Sequence, residues 1–293
     1  MASSASEPVE KRFALGSDNG SRTLVMPIVT VFRAALVITS VFGLTCHDSP
    51  ERVTVDCTDR PVRMGVASSL REVALSLRQE LLARDQSIDV EMIFGASSVH
   101  ARQLELGAPM DVLVSADAEI VDDLTRRGLL VPGSALEFAR GRLVLAASAN
   151  WPAENSGVGA LDSSDLKRIA IPSAAVPLGR YARYWLEKQG RLERLEGRIV
   201  TTEHARATLS AVDAGHVDLA IVYESDARLA RRAVVLAEIE PSEYPPIRYV
   251  AGRVAATPKC PSINEALVAW ANPATSERLV SIGFLPTDST EAY

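Results

Sequence analysis

Positions 1–23 are mainly polar and Ser-rich, and positions 24–45 are then almost wholly apolar, broken once by Arg33. The twelve uncharged residues 34–45 are too few for a membrane span of about 20 residues, but they suit the apolar segment of an export signal flanked by a positive charge. Met26 is an alternative start that would make the signal more compact. From about Asp59 the pattern changes to short apolar runs alternating with segments of helical spacing. Residues 63–67 read as a strand, after which Leu70, Val73, Ala74, Leu77 and Leu81 share one helical face. Ile88, Val90, Met92 and Phe94 alternate as a second strand. A helical segment with Ala101, Leu104 and Leu106 follows and stops at Gly107-Ala108-Pro109. Residues 111–114 lead into a helix over 118–127, and further strands are predicted at 142–146, 169–171, 218–222 and 234–236. This βαβα alternation predicts an α/β fold of mostly parallel sheets with helices on both faces.

In such sheets ligands sit beyond the carboxyl ends of the strands, where loops enter helices. Ala67-Ser68-Ser69-Leu70 and Phe94-Gly95-Ala96-Ser97-Ser98 each combine hydroxyls with the unpaired N–H groups of a helix start, which makes an anion site from neutral dipoles. Val176-Pro177-Leu178-Gly179 and Thr202-Glu203-His204-Ala205 open two more helices, and Tyr223 ends a strand. Singly, each of these has an ordinary structural reading as a cap, a turn or a packed ring. Together they define a candidate oxyanion site.

Charge and composition narrow the alternatives. Lys+Arg number 31 against Asp+Glu 37, and aromatics are 5%, which argues against a protein that neutralises phosphates or stacks bases. Gly95-Ala96-Ser97-Ser98-Val99 half-matches a nucleophile elbow but ends in Val, and no phosphate-binding glycine loop stands in a suitable place. An enzyme is therefore not expected, nor a cofactor. His100 and His204 flank the candidate loops without a third ligand at metal spacing, so they read as structural or rim residues and not as cation ligands. Arg180 and Arg206 read as solvated first-turn residues, and Arg102 as a structural ion-pair residue. The three cysteines form no CxxC pair. Cys46 stands where a lipoprotein signal carries its modified cysteine, with simple cleavage or an uncleaved anchor left open. Export would permit a bridge between Cys57 and Cys260, two free thiols being the alternative.

The segments 94–103, Gly107-Ala108-Pro109-Met110-Asp111-Val112 and Ser115-Ala116-Asp117, with Ala67-Ser68-Ser69-Leu70, Val176-Pro177-Leu178-Gly179-Arg180-Tyr181-Ala182 and Ile221-Val222-Tyr223-Glu224-Ser225-Asp226, occur in an order that resembles the periplasmic molybdate-binding proteins of ABC importers. The resemblance spans about 63–285. It implies a monomeric, two-lobed binding protein of the periplasmic type that holds molybdate or tungstate in its cleft, without a cationic ligand. It also implies a membrane permease and ATPase as partners, and a location outside the cytoplasmic membrane, free or anchored. The ligand donors would be the hydroxyls and N–H groups of Ser69 and Ser97, the backbone N–H groups of Leu178 and Ala205, and the phenol of Tyr223. Leu178 is larger than the usual Ala, and Ala96 and Val99 replace frequent Ser and Thr. The implied organisation is a leader over 1–58, a first lobe over 59–139 plus 246–288, a second over 140–245 and a tail over 289–293. The alternative is an exported binding or sensor protein of the same fold for sulfate, phosphate or a small organic acid.

Overall fold

A computed structural model describes residues 60–85 and 88–287. The expectations for the leader, Cys46, Cys57 and the tail lie outside these residues. In the first lobe, β1 (Val62–Ala67) runs through a short 3-10 turn, Ser68–Leu70, into α1 (Arg71–Arg84). Then come β2 (Val90–Gly95), α2 (Ser97–Glu105), β3 (Val112–Ser115), α3 (Ala118–Arg126) and β4 (Leu136–Gly141). The second lobe holds β5 (Leu143–Ala147), β6 (Ile169–Pro172), α4 (Pro177–Lys188), α5 (Leu192–Leu195), β7 (Ile199–Thr202), α6 (Ala205–Asp213), β8 (Leu219–Tyr223), α7 (Glu224–Ala227) and β9 (Val234–Glu238). The chain returns to the first lobe with β10 (Ile247–Arg253), α8 (Pro261–Val268) and α9 (Pro273–Ser281). Among the described residues, no helix is long and apolar enough to cross a membrane.

Each lobe is a five-stranded sheet flanked by helices, ordered β2-β1-β3-β10-β4 in one and β7-β6-β8-β5-β9 in the other. The two orders are the same pattern. A central strand pairs in parallel with two neighbours, β1 with β2 and β3, and β6 with β7 and β8. The remaining pairings are antiparallel and involve β10 and β5. The sheets are thus mixed, with four strands of each running one way, as expected, and only β10 or β5 running against them. The physical reason is connectivity: a βα crossover forces a parallel return, whereas β10 and β5 arrive from the other lobe without one. Apolar side chains of β1, β3, β6 and β8 are buried on both faces, which suits strands covered by helices on each side.

These paired βα units bring the carboxyl ends of β1, β2, β6, β7 and β8 to one place. Gly179, in the first turn of α4, shows how closely: a Cβ there would overlap the carbonyl oxygens of Ser173 and Pro172. Only glycine lets this helix start sit on the end of its own strand. Cys260 precedes α8, is buried and is disulfide-bonded; its partner, and with it the expected pairing to Cys57, lies outside the described residues.

Candidate functional site

A small cavity lies where the two lobes face each other. Ser69, Ser97, Leu178, Ala205 and Tyr223 all line it. The first two come from the first lobe and the other three from the second. All are buried, and no charged side chain lines the cavity.

Each donor is oriented by local structure. In α4 the first residue, Pro177, has no N–H, so the first amide that this helix start can offer is that of Leu178; no side chain caps it. At α6 the cap is His204, whose Nδ1 accepts from the N–H of Ala207 at 3.1 Å, which leaves the amide of Ala205 open. Helix α2 starts at Ser97 without a side-chain cap. The Oγ of Ser97 accepts from the N–H of Ala116 at 3.0 Å, so its hydrogen remains to be donated. Ser69 Oγ lies 3.5 Å from the hydroxyl of Tyr249.

Tyr223 is the most telling member. Its hydroxyl is fully enclosed and has no hydrogen-bond partner, and such a group costs about 1–3 kcal/mol unless something completes it. Burial holds this phenol well above its ordinary range, so it remains a neutral donor. The cavity therefore presents hydroxyl hydrogens and helix-start amides from both lobes, with partial positive charge and no counter-charge of its own.

Arg180 and Arg206, expected to be solvated, are engaged between the lobes instead. Arg180 pairs with the buried Asp117 and lies 3.5 Å from Glu119, both in the first lobe. Arg206 pairs with Glu72 of α1 and lies 3.2 Å from Asp226 of α7. Desolvation is costly for an unpaired guanidinium, and the carboxylates across the cleft supply the compensation. Asp226 is wholly enclosed, and burial raises it to about 7 against the pull of Arg206. His100 is buried beneath β1, its Nε2 3.2 Å from the carbonyl of Val66 and its Nδ1 3.1 Å from Gln103, and burial lowers its pKa. It is structural. Arg102 pairs with Glu105 along its own helix. No cluster of three metal-ligating side chains occurs among the described residues.

The Ser115-Ala116-Asp117 turn is explained by its bonds. Ser115 Oγ accepts from the N–H of Asp117 at 3.1 Å and donates to its carbonyl at 2.8 Å; Ala116 holds Ser97; and Asp117 caps α3 through the N–H of Glu119 at 3.0 Å. Asp111, which ends the Gly-Ala-Pro segment, takes the Arg60 guanidinium at 2.7 and 2.8 Å and the N–H of Arg63 at 2.8 Å. Sequence reasoning missed Tyr249, which stands in no loop that enters a helix, and gave no role to Asp226 at the end of the segment 221–226.

Residues 62–285 match the family described as bacterial extracellular solute-binding protein. A putative ABC transporter substrate-binding lipoprotein of Bacillus subtilis is 24% identical over 77% of this chain and 85% of its own. The molybdate-binding protein of Escherichia coli is 28% identical over 63% of this chain and 72% of its own. Among solved structures, the periplasmic molybdate-binding protein of Azotobacter vinelandii superposes with a TM-score of 0.69 at 22% identity, covering 76% of this chain and 98% of that one.

Proposed function

Since the chain belongs to the bacterial extracellular solute-binding proteins, we propose that its solute is a tetrahedral oxyanion, molybdate or tungstate, held by Ser69, Ser97, Leu178, Ala205 and Tyr223. In this reading it serves as the extracytoplasmic binding component of an ABC importer, handing the anion to a membrane permease driven by an ATPase. The enclosed, unpartnered hydroxyl of Tyr223 carries the reading. A buried donor without an acceptor, in a cavity walled by other donors, is completed by an anion that brings acceptors only. Relatives described as molybdate-binding point the same way.

The physics of capture follows from the donor set. A hydrogen bond to a charged group contributes about 1.5–3 kcal/mol, so several such bonds can offset the desolvation of a dianion and the cost of association. Fixed donors select by size, because a smaller anion cannot reach all of them. They also disfavour protonated anions, whose hydrogen would meet donors only. A ligand touching both lobes favours the closed arrangement through contacts that an open one lacks, and the pairs Arg180–Asp117 and Arg206–Glu72 close over the same cleft. The chain crosses between the lobes near 142 and again between 238 and 247, where a hinge would act.

A thermal unfolding scan with molybdate, tungstate, sulfate and phosphate tests this. At a hundred times Kd a native-state ligand adds about 2.7 kcal/mol, a rise of about 5–10 °C in midpoint for a chain of this size. The expected result is a rise with molybdate and tungstate and little with sulfate or phosphate. No rise with any of the four sinks the reading.

A further inference from the structure

Two arginines stand beside the amides that the second lobe offers to the cavity. Arg206 follows Ala205 at the start of α6, and Arg180 comes two residues after Leu178 in the first turn of α4. Both reach across the cleft. Arg206 pairs with Glu72 in the first turn of α1, and Arg180 pairs with Asp117 and lies 3.5 Å from Glu119. The first-lobe partners are placed in the same way as the arginines. Glu72 comes three residues after Ser69, and Asp117 directly follows Ala116, whose N–H is held by Ser97 Oγ at 3.0 Å. One ion pair therefore ties the helix start that carries Ala205 to the turn that carries Ser69. The other ties the helix start that carries Leu178 to the turn that fixes Ser97. Neither pair lines the cavity.

The charges are held ready for one another. The Asp117 side chain is 1% exposed, and its other oxygen caps α3 by accepting from the N–H of Glu119 at 3.0 Å. Arg206 is largely buried, with its Nε 3.2 Å from the enclosed Asp226 of its own lobe. Groups fixed in this way lose little freedom when they pair, and partly buried charges are poorly screened by salt.

We propose that Arg180–Asp117 and Arg206–Glu72 form a closure latch, and that these four side chains are positioning residues that set how long the anion is held. The pairs form where the lobes meet, clamp two donor-bearing helix starts over the cavity and slow reopening without touching the ligand. Contacts made only in the closed arrangement shift the equilibrium toward it, and release has to wait for reopening. The latch reverses a simple electrostatic expectation. Glu72 and Asp117 are negative groups near the site of a dianion, so by repulsion alone neutralising either one tightens binding. As members of the latch they do the opposite, and their loss speeds release.

The latch rests on the oxyanion reading for its probe, and the experiment separates the two. Asp117→Asn keeps an oxygen that can cap α3, and Glu72→Gln changes an exposed helix position, so each removes little besides charge. Association and release of molybdate are followed by stopped-flow fluorescence. Release is expected to be about tenfold faster in Asp117→Asn and about threefold faster in Glu72→Gln, with association no slower than in wild type. The unfolding midpoint of the ligand-free chain should stay at the wild-type value, which separates a latch from a general loss of structure. Unchanged release in one variant removes that pair from the latch. Unchanged release in both, or tighter binding in either, overturns it. If Asp117→Asn does not fold, Glu72→Gln decides alone. A wild-type chain that binds no molybdate fails the oxyanion reading by itself, and the latch is then judged by small-angle X-ray scattering. The double variant should have a larger radius of gyration than wild type, and equal radii overturn the latch.

Discussion

The two lobes share a sheet order and differ in what they bring to the cleft. In strand-by-strand correspondence β1 matches β6 and β2 matches β7. Ser69 after β1 then answers to Leu178 after β6, and Ser97, which opens α2, answers to Ala205, which opens α6. The first lobe presents hydroxyls at these positions; the second presents bare amides and adds the Tyr223 phenol at the end of β8. A hydroxyl can rotate: Ser97 Oγ is held by the N–H of Ala116 at 3.0 Å, and Ser69 Oγ has the Tyr249 hydroxyl 3.5 Å away. An amide is aimed by the helix that carries it, and needs only that the helix start be fixed in place.

The strongest way to break that contrast is Gly179→Ala. The new Cβ meets backbone oxygens of Ser173 and Pro172, which cannot rotate away, so the start of α4 has to shift and the Leu178 amide moves with it. Overpacking costs about 1–3 kcal/mol, and backbone oxygens that cannot turn aside place this case at the upper end. Denaturant unfolding should show that loss, and molybdate should no longer raise the midpoint of whatever folded protein remains. Full retention of both would mean that α4 is not held as tightly as the glycine implies.

Much of this site was legible in the sequence, because strand-to-helix loops carry local marks: paired serines, Pro-x-Gly, a strand-terminal Tyr. All five positions expected from those marks and from the resemblance line one cavity. What escaped has no local mark. β4 and β7 carry partly exposed positions that interrupt their apolar pattern, and in β10 Arg248 interrupts the apolar run that follows Pro245-Pro246. The partners of Arg180 and Arg206 lie 63 and 134 residues away along the chain. An arginine just inside a helix looks solvated until the other lobe is placed opposite it.

The lobes also differ in how they bury a carboxylate, and pH can sharpen this. At Asp111 burial pushes the pKa up, but the Arg60 fork, the Arg63 amide and the Thr257 hydroxyl outweigh it and hold it below the usual range. That pairing stabilises the fold above the ordinary carboxylate range and is lost as pH falls through the folded value. At Asp226 burial wins and raises it to about 7, Arg206 notwithstanding. The folded form then binds the proton more tightly than the unfolded chain does, so stability falls as pH rises from about 4 to about 7 and levels off beyond. Each tenfold in proton affinity is about 1.4 kcal/mol, so the part of this window above pH 5 is worth on the order of 2 kcal/mol. Unfolding free energies at pH 5 and pH 8 should differ between wild type and Asp226→Asn by that amount, the wild type losing more at pH 8. Parallel behaviour of the two would show that Arg206 keeps Asp226 ionised throughout.

The finest comparison sets Ser97→Ala beside Ala205→Gly, two truncations at corresponding positions. Ser97→Ala removes a donor to the anion and leaves the buried N–H of Ala116 without its acceptor. A single hydrogen bond to a charged group is worth about 1.5–3 kcal/mol, which predicts molybdate affinity at least about tenfold weaker. Ala205→Gly removes one methyl group and leaves the amide where the helix start holds it, so affinity should stay within about threefold. Titration calorimetry on both variants measures the difference directly. Equal losses would mean that Ala205 contributes through its side chain, and that the division between a hydroxyl lobe and an amide lobe is wrong. A loss confined to Ser97 would mean that the second lobe's grip at this position is written in its backbone, where substitution of a side chain does not reach it.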